Sequence, residues 1–281
     1  MKRTAAFILA VLLLAAAAGL TAYPLISNWV NDRYQSLVLT RYEEEIDAAG
    51  KDDLVRARDA AQAYNDSLSP LRYSPEGIRA ASEDYESLLD PDGSGIMGSV
   101  EIPKLEITLP IYHGTHEDVL GKGAGHLPGS SLPVGGNGCH SVLTGHSGVA
   151  GKRLFSDIDQ MGEGDVFFLR VLGEALAYEV DKVSIVEPHE TGLLAPVRGR
   201  DLCTLVTCYP YGVNTHRLLV RGSRIPYDEA AGIEKSREEA PVRSTWREQY
   251  FKGLAAGGAG ALGLLFAVLL IRVLRRKRRR K

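Results

Sequence analysis

Charge is missing from two long stretches of this 281-residue chain. Neither Ala5–Ala22 (AAFILAVLLLAAAAGLTA) nor Gly253–Ile271 (GLAAGGAGALGLLFAVLLI) contains an acid or a base. At about 1.5 Å per residue the second run would span roughly 28 Å, close to a bilayer's hydrocarbon thickness. Cysteine is scarce as well: only Cys139, Cys203 and Cys208 occur. An odd number leaves at least one thiol free, because a bond between Cys139 and Cys203 would still strand Cys208. Cys139 and Cys203 read equally well as small buried thiols. No internal repeat is present, so the length accommodates one ordinary globular domain plus added segments.

The flanks of the two apolar runs predict their orientation. Lys2 and Arg3 precede the first, and eight cations in Arg272–Lys281 (RVLRRKRRRK) follow the second. Cationic flanks remain cytoplasmic, which predicts that both termini lie inside and that 23–252 is extracellular. The net charge of −2 therefore conceals a basic tail on an otherwise acidic chain. A nucleic-acid reading of that tail is set aside because it follows an apolar span directly. Lys-Arg, an apolar core and Ala16–Ala18 also fit a cleavable signal peptide. The length of the run favours a retained anchor, and the exposed domain has the same topology in either case.

Between the runs two patterns alternate. From Ser27 to about Asn65, Trp29, Tyr34, Leu37, Tyr42 and Ile46 recur at helical spacing. A second helix is predicted over Pro75–Leu89, with Ser74 as its cap, ended by Asp90-Pro91-Asp92-Gly93. Beyond Gly98 the chain turns to short β-rich runs. These are Ser99–Ile102, Leu109–His113, His140–Thr144, Val166–Val171, Leu176–Ile185, Leu202–Thr207 and Thr215–Val220. Seven or eight strands in about 130 residues predict a mainly β closed barrel or sandwich. A linker is predicted over Asp228–Tyr250, leading to the second apolar run.

Thr204–Gly222, TLVTCYPYGVNTHRLLVRG, is the most informative stretch. It places Cys208 at the end of one strand and Arg217 and Arg221 on the return strand. A thiol is nucleophilic as its thiolate, and a fixed guanidinium, which never gives up its proton, can hold a carbonyl or an oxyanion. Upstream, Leu143-Thr144-Gly145-His146-Ser147-Gly148 presents His146 after another strand, with glycines on both sides, as a general acid and base. His113 and His116 form H-x-x-H without further metal-type ligands nearby, and His126 and His140 are candidates to line the cleft. No metal or cofactor is expected.

These motifs, together with GIMGSVEIPK and LPIYHGT, resemble the sortases, membrane-held cysteine transpeptidases of Gram-positive surfaces, over roughly Gly95–Tyr227. The resemblance favours class C, the pilin-polymerising branch. It implies an eight-stranded sortase-type barrel with peripheral helices, an N-terminal helical arm and flanking transmembrane helices. The resulting organisation is 1–22 anchor, 23–94 arm, 95–227 catalytic barrel, 228–252 linker, 253–271 second span and 272–281 tail. It further implies Cys208 as nucleophile, His146 as acid and base, Arg217 as stabiliser, and LPxTG-bearing pilins or surface proteins as substrates. Arg221 is expected to be a solvent-facing charge at a strand end. Class C sortases often carry an Asp-Pro-aromatic lid. Here Asp90-Pro91-Asp92 has an acid where the ring would be, and a plain turn is the expectation. The housekeeping class that anchors proteins to the cell wall is the alternative. The Q-A-C-x-G surround of caspase-like cysteine peptidases is absent. No LPxTG precedes the C-terminal run, which points to an enzyme and away from an anchored substrate.

Overall fold

The computed structural model describes residues 2–68, 85–91, 93–149, 151–237 and 250–261. The first helix, α1 (Lys2–Ala48), is continuous through Pro24 and joins the apolar run to the arm without a break. From Val11 onward it is long and apolar enough to cross a membrane. Gly50 precedes α2 (Lys51–Ser67), whose first turn carries Asp52 and Asp53, the charge sign a helix N-terminus favours. The part of the predicted second helix over 75–84 lies outside the described residues, and Tyr85–Ser87 form one 3-10 turn. Residues 250–261 are helical and belong to a separate C-terminal unit, while 262–281, with the rest of the second apolar run and the basic tail, are outside the described residues.

Eight strands close a barrel: β1 (Ile96–Ile102), β2 (Ile107–His113), β3 (Ala124–His126), β4 (His140–Thr144), β5 (Val166–Val171), β6 (Glu174–Val186), β7 (Leu202–Tyr209) and β8 (His216–Ile225). The order around it is β1-β2-β3-β4-β7-β8-β6-β5. The β2–β3 and β4–β7 pairs are parallel and the rest antiparallel. The predicted barrel is therefore present, with β3 as the strand not anticipated. Closure leaves no unpaired edge, so a small all-β domain avoids templating other chains.

Alternation along each strand sorts side chains to two faces. Val100, Ile111, Leu143, Leu169, Leu205 and Val220 point inward into one core with Phe155, Phe167 and Tyr178. Each such residue contributes about 1.5–3 kcal/mol on burial. Tyr42 and Ile46 bring the arm into the same core, and the Tyr42 hydroxyl donates to the Met97 carbonyl (3.1 Å) while accepting from Leu172 N (3.1 Å). The segment read as a linker instead begins with a helix, α4 (Tyr227–Arg237). Its Ala230 is buried against Val166, Phe168 and Ala177, so a small residue at the contact lets the helix lie close to the barrel.

Candidate active site

The outer face of β4, β7 and β8 holds the site. On β7, Cys203 and Leu205 face the core, so Thr204, Val206 and Cys208 face outward. Cys208 is paired in register with Arg217 of antiparallel β8, which puts both side chains on one face of adjacent strands. The Arg217 guanidinium donates through Nη1 to the carbonyls of His216 (3.0 Å) and Asn214 (3.3 Å), holding it against its own turn. Asn214 takes φ +62, a left-handed conformation that asparagine tolerates.

His146 comes to the same rim from the other neighbour of β7. The last pair of the parallel β4–β7 ladder is Thr144↔Val206, and His146 and Cys208 each follow two residues beyond it. Two hydrogen bonds carry this alignment past the ladder: Gly145 N donates to Val206 O (3.0 Å), and Thr207 Oγ1 donates to Gly145 O (2.7 Å). Gly145 is required here, since a Cβ would lie 2.6 Å from the Phe155 ring. The turn that carries His146 is thus hydrogen-bonded to the end of β7 that bears Cys208, and Cys208 is paired with Arg217 on β8.

A buried histidine lies earlier on the same strands. His140, outward on β4 and wholly buried, places Nε2 2.7 Å from Thr204 Oγ1 and Nδ1 3.0 Å from Ala195 O. A carbonyl can only accept, so Nδ1 carries the proton and Nε2 accepts from the threonine: a neutral ring. Burial lowers its pKa to about 4, against the raising influence of the Ala195 carbonyl. Leu194, in the 3-10 turn Gly192–Leu194, packs on Val142 and Leu219, with Val186 and Val206 alongside. The segment between β6 and β7 is in this way fixed over the outer face of β4, β7 and β8.

Known proteins agree with this architecture. The family model of the sortase domain matches residues 100–225. Sortase D of Bacillus subtilis is 32% identical over 138 residues, covering 48% of this chain and 67% of that protein. The crystal structure of sortase C1 from Streptococcus agalactiae superposes with a TM-score of 0.62 at 42% identity, covering 68% of this chain and 99% of that one. A sortase C of Streptococcus pneumoniae, described for its catalysis and pilin substrate specificity, gives 0.61 at 41% identity, covering 68% and 97%.

The chain belongs to the sortase family. It is a cysteine transpeptidase by descent, and the solved structures named above, at about 40% identity, are class C sortases.

The remaining cysteines of this sortase are free thiols turned away from the site. Cys203 lies in the core, where burial pushes its thiol well above the ordinary range, reinforced by Asp201. Burial raises Cys139 too. Arg221 departs from expectation. It stands mid-strand, largely buried, and its Nε and Nη2 donate to the two carboxylate oxygens of Asp181 at 2.8 and 3.1 Å. Arg200 shares that carboxylate, and after the cost of burial the two guanidiniums hold Asp181 below the usual carboxylate range. Strand length decides the point: β8 continues to Ile225, so position 221 is interior.

The other histidines of the sortase are engaged elsewhere. His126 is fully buried, with Nδ1 2.8 Å from the Tyr85 hydroxyl and Nε2 2.9 Å from Ser131 O, and burial lowers its pKa to about 4. It therefore does not line the cleft. Both ring nitrogens of His113 face carbonyls, Nε2 that of Leu88 (2.7 Å) and Nδ1 that of Gly95 (3.1 Å). Asp90 accepts from Gly95 N (2.9 Å), closing a local turn after Tyr85–Ser87, and Asp92 lies outside the described residues. Sequence reasoning missed Glu117, whose carboxylate is 3.2 Å from His146 Nε2. It stands at the first position of α3 (Glu117–Leu120), far from His146 in sequence and without a motif to mark it.

Proposed function

We propose that this sortase cleaves LPxTG-type sorting signals and joins the acyl product to a lysine amine of a pilin subunit, with Cys208 as nucleophile, His146 as acid and base, and Arg217 as oxyanion stabiliser. The register pairing of Cys208 with Arg217, with the His146 turn hydrogen-bonded to the same end of β7, carries the reading. The Cys208 thiolate attacks the carbonyl carbon of the Thr–Gly bond. The C–N bond breaks, the leaving amine takes a proton from His146, and a thioester remains. A lysine amine then gives its proton to His146 and attacks the thioester. The C–S bond breaks, Cys208 is restored and an isopeptide bond forms. Arg217 balances the charge on oxygen in both tetrahedral stages. The likeness to class C structures extends over 68% of the chain, more than the barrel, and favours pilus assembly over anchoring to the cell wall.

Anchoring serves the same chemistry. With the apolar start of α1 in the bilayer and the barrel outside, enzyme and membrane-held substrates meet at high effective concentration. The cations at Lys2, Arg3 and 272–281 support a reading in which both termini are cytoplasmic.

The test combines full-length protein with an LPxTG-type peptide and a lysine-bearing pilin domain. The expected result is a hydroxylamine-sensitive thioester and an isopeptide-linked product. Cys208→Ala abolishes both, whereas Cys139→Ala and Cys203→Ala retain them. Refusal of the pilin lysine with acceptance of a cell-wall amine would replace pilus assembly by anchoring.

A further inference from the structure

A polar clasp ties α1 to the loop that carries His146. Ser27 and Asn31, one turn apart on a single helix face, both donate to the carbonyl of Gly151, Ser27 Oγ at 3.0 Å and Asn31 Nδ2 at 2.8 Å. The second hydrogen of the Asn31 amide goes to Ser27 O (2.9 Å), which fixes its orientation. One turn on, Gln35 donates to Lys122 O (3.1 Å), and Lys152 Nζ reaches Gly121 O (2.6 Å). The helix, the loop and the turn after α3 are joined in this way. Gly151 takes φ +78, and a Cβ there would lie 2.4 Å from Ser27 Oγ, so the approach demands glycine.

Among the described residues the loop is also held on its return side, where the Arg153 guanidinium donates to the carbonyls of Leu105 and Glu106, and at its neck. Phe155 N donates to His146 O (3.0 Å) and Gly148 N donates to Ser156 Oγ (3.2 Å). The clasp grips the opposite end, at the tip. Immediately after it α1 stands away from the barrel over a groove of about 460 Å³, between Asp32, Leu39 and Glu43 on one side and Ile107, Leu109 and Arg153 on the other. Apolar contact resumes at Tyr42 and Ile46. The arm is therefore docked by contacts independent of the clasp.

We propose that Ser27 and Asn31 are positioning residues, through which the membrane-proximal turn of α1 holds the tip of the His146 loop and sets the imidazole relative to Cys208. The inference rests on the catalytic reading of His146 and Cys208 given above. A loop pinned at both ends spends more of its time in one arrangement, and misplacement of a catalytic group by about 1 Å can cost up to 10²-fold in rate. The anchor helix then belongs to the catalytic apparatus, and a domain cut after residue 31 is a slower enzyme than the whole chain.

The experiment uses the full chain in lipid nanodiscs with an LPxTG-type peptide as probe. It compares Ser27→Ala/Asn31→Ala, Gly151→Ala, Cys208→Ala and Thr40→Ala, whose Oγ1 bonds only within its own helix. The clasp variants should lose about 5- to 20-fold in kcat with KM within about twofold, and amide exchange in the 147–152 loop should rise. Their thermal midpoints should match the parent, and Thr40→Ala should match it in every respect. Parent kcat and loop exchange in both clasp variants, with Cys208→Ala inactive, overturns the clasp and leaves the catalytic reading standing. Loss of kcat in step with a lowered thermal midpoint also overturns it, by showing a structural role. Turnover by Cys208→Ala sinks the catalytic reading itself.

Discussion

Two cysteines five residues apart on β7 meet opposite fates. Cys203 faces the barrel interior among Leu205, Val220 and Phe167, where burial makes ionisation unfavourable and the thiol is a small apolar filler. Cys208 faces outward, partly exposed, beside Arg217 and the His146 turn. The same atom type on one strand is inert on one face and available for chemistry on the other. Parity of the strand decides which, and no local composition does. The barrel interior is a stability device, and the outer face of β4, β7 and β8 carries the proposed site.

The largest effect expected across that divide is on stability in acid. His126 and His140 are both buried and neutral, with pKa values lowered to about 4. The unfolded chain takes up these protons near pH 6.5, so stability is intact above that pH and declines as pH falls toward about 4, where the loss levels off. Each histidine accounts for about 3 kcal/mol over the window. Denaturant midpoints between pH 7 and pH 4 should show the fall, and His140→Gln should flatten part of it. An unchanged slope in that variant would remove His140 from the account.

Next comes the outer face. Arg217→Ala should lower kcat about 10²- to 10³-fold with little change in the urea midpoint, the size expected for one lost oxyanion donor. Arg217→Lys, which keeps charge and loses the planar fork, should recover only part of it. Steady-state kinetics with an LPxTG-type peptide measures both, and near-normal kcat in Arg217→Ala would break the proposed division of roles. The smallest effect belongs to the inner face. Cys203→Ser puts an unpartnered hydroxyl into the core and should cost about 1–3 kcal/mol while leaving kcat per folded molecule unchanged. A loss of kcat there would blur the contrast from the other side.

The parts legible in the chain were those with a strong local signal. β-rich runs flanked by glycine and proline marked most of the strands, and Cys208, His146 and Arg217 stood out through their surrounding motifs. β3 escaped because Ala124–His126 is three residues of mixed character, held as a strand by its neighbours β2 and β4. Arg221 was misread because the end of β8 is set by its long pairing with β6 and β7 and not by a local stop signal. The helix over Tyr227–Arg237 has too little amphipathicity to announce itself, and its place is fixed by one small residue, Ala230, against Phe168 and Ala177. The break between anchor and arm dissolved into one helix because Pro24 interrupts the pattern without ending the element.

The sequence by itself determined seven of the eight strands, that the start of α1 can enter a bilayer and which residues have the chemistry to act, because periodicity, charge and side-chain reactivity are local properties. Only the tertiary structure decided that β4 runs parallel to β7 and antiparallel β8 returns in a register opposing Arg217 to Cys208. It likewise set Glu117 against His146 and Ser27 and Asn31 against Gly151. Barrel closure and helix docking select these pairings through burial summed over the whole domain, so no single segment carries them.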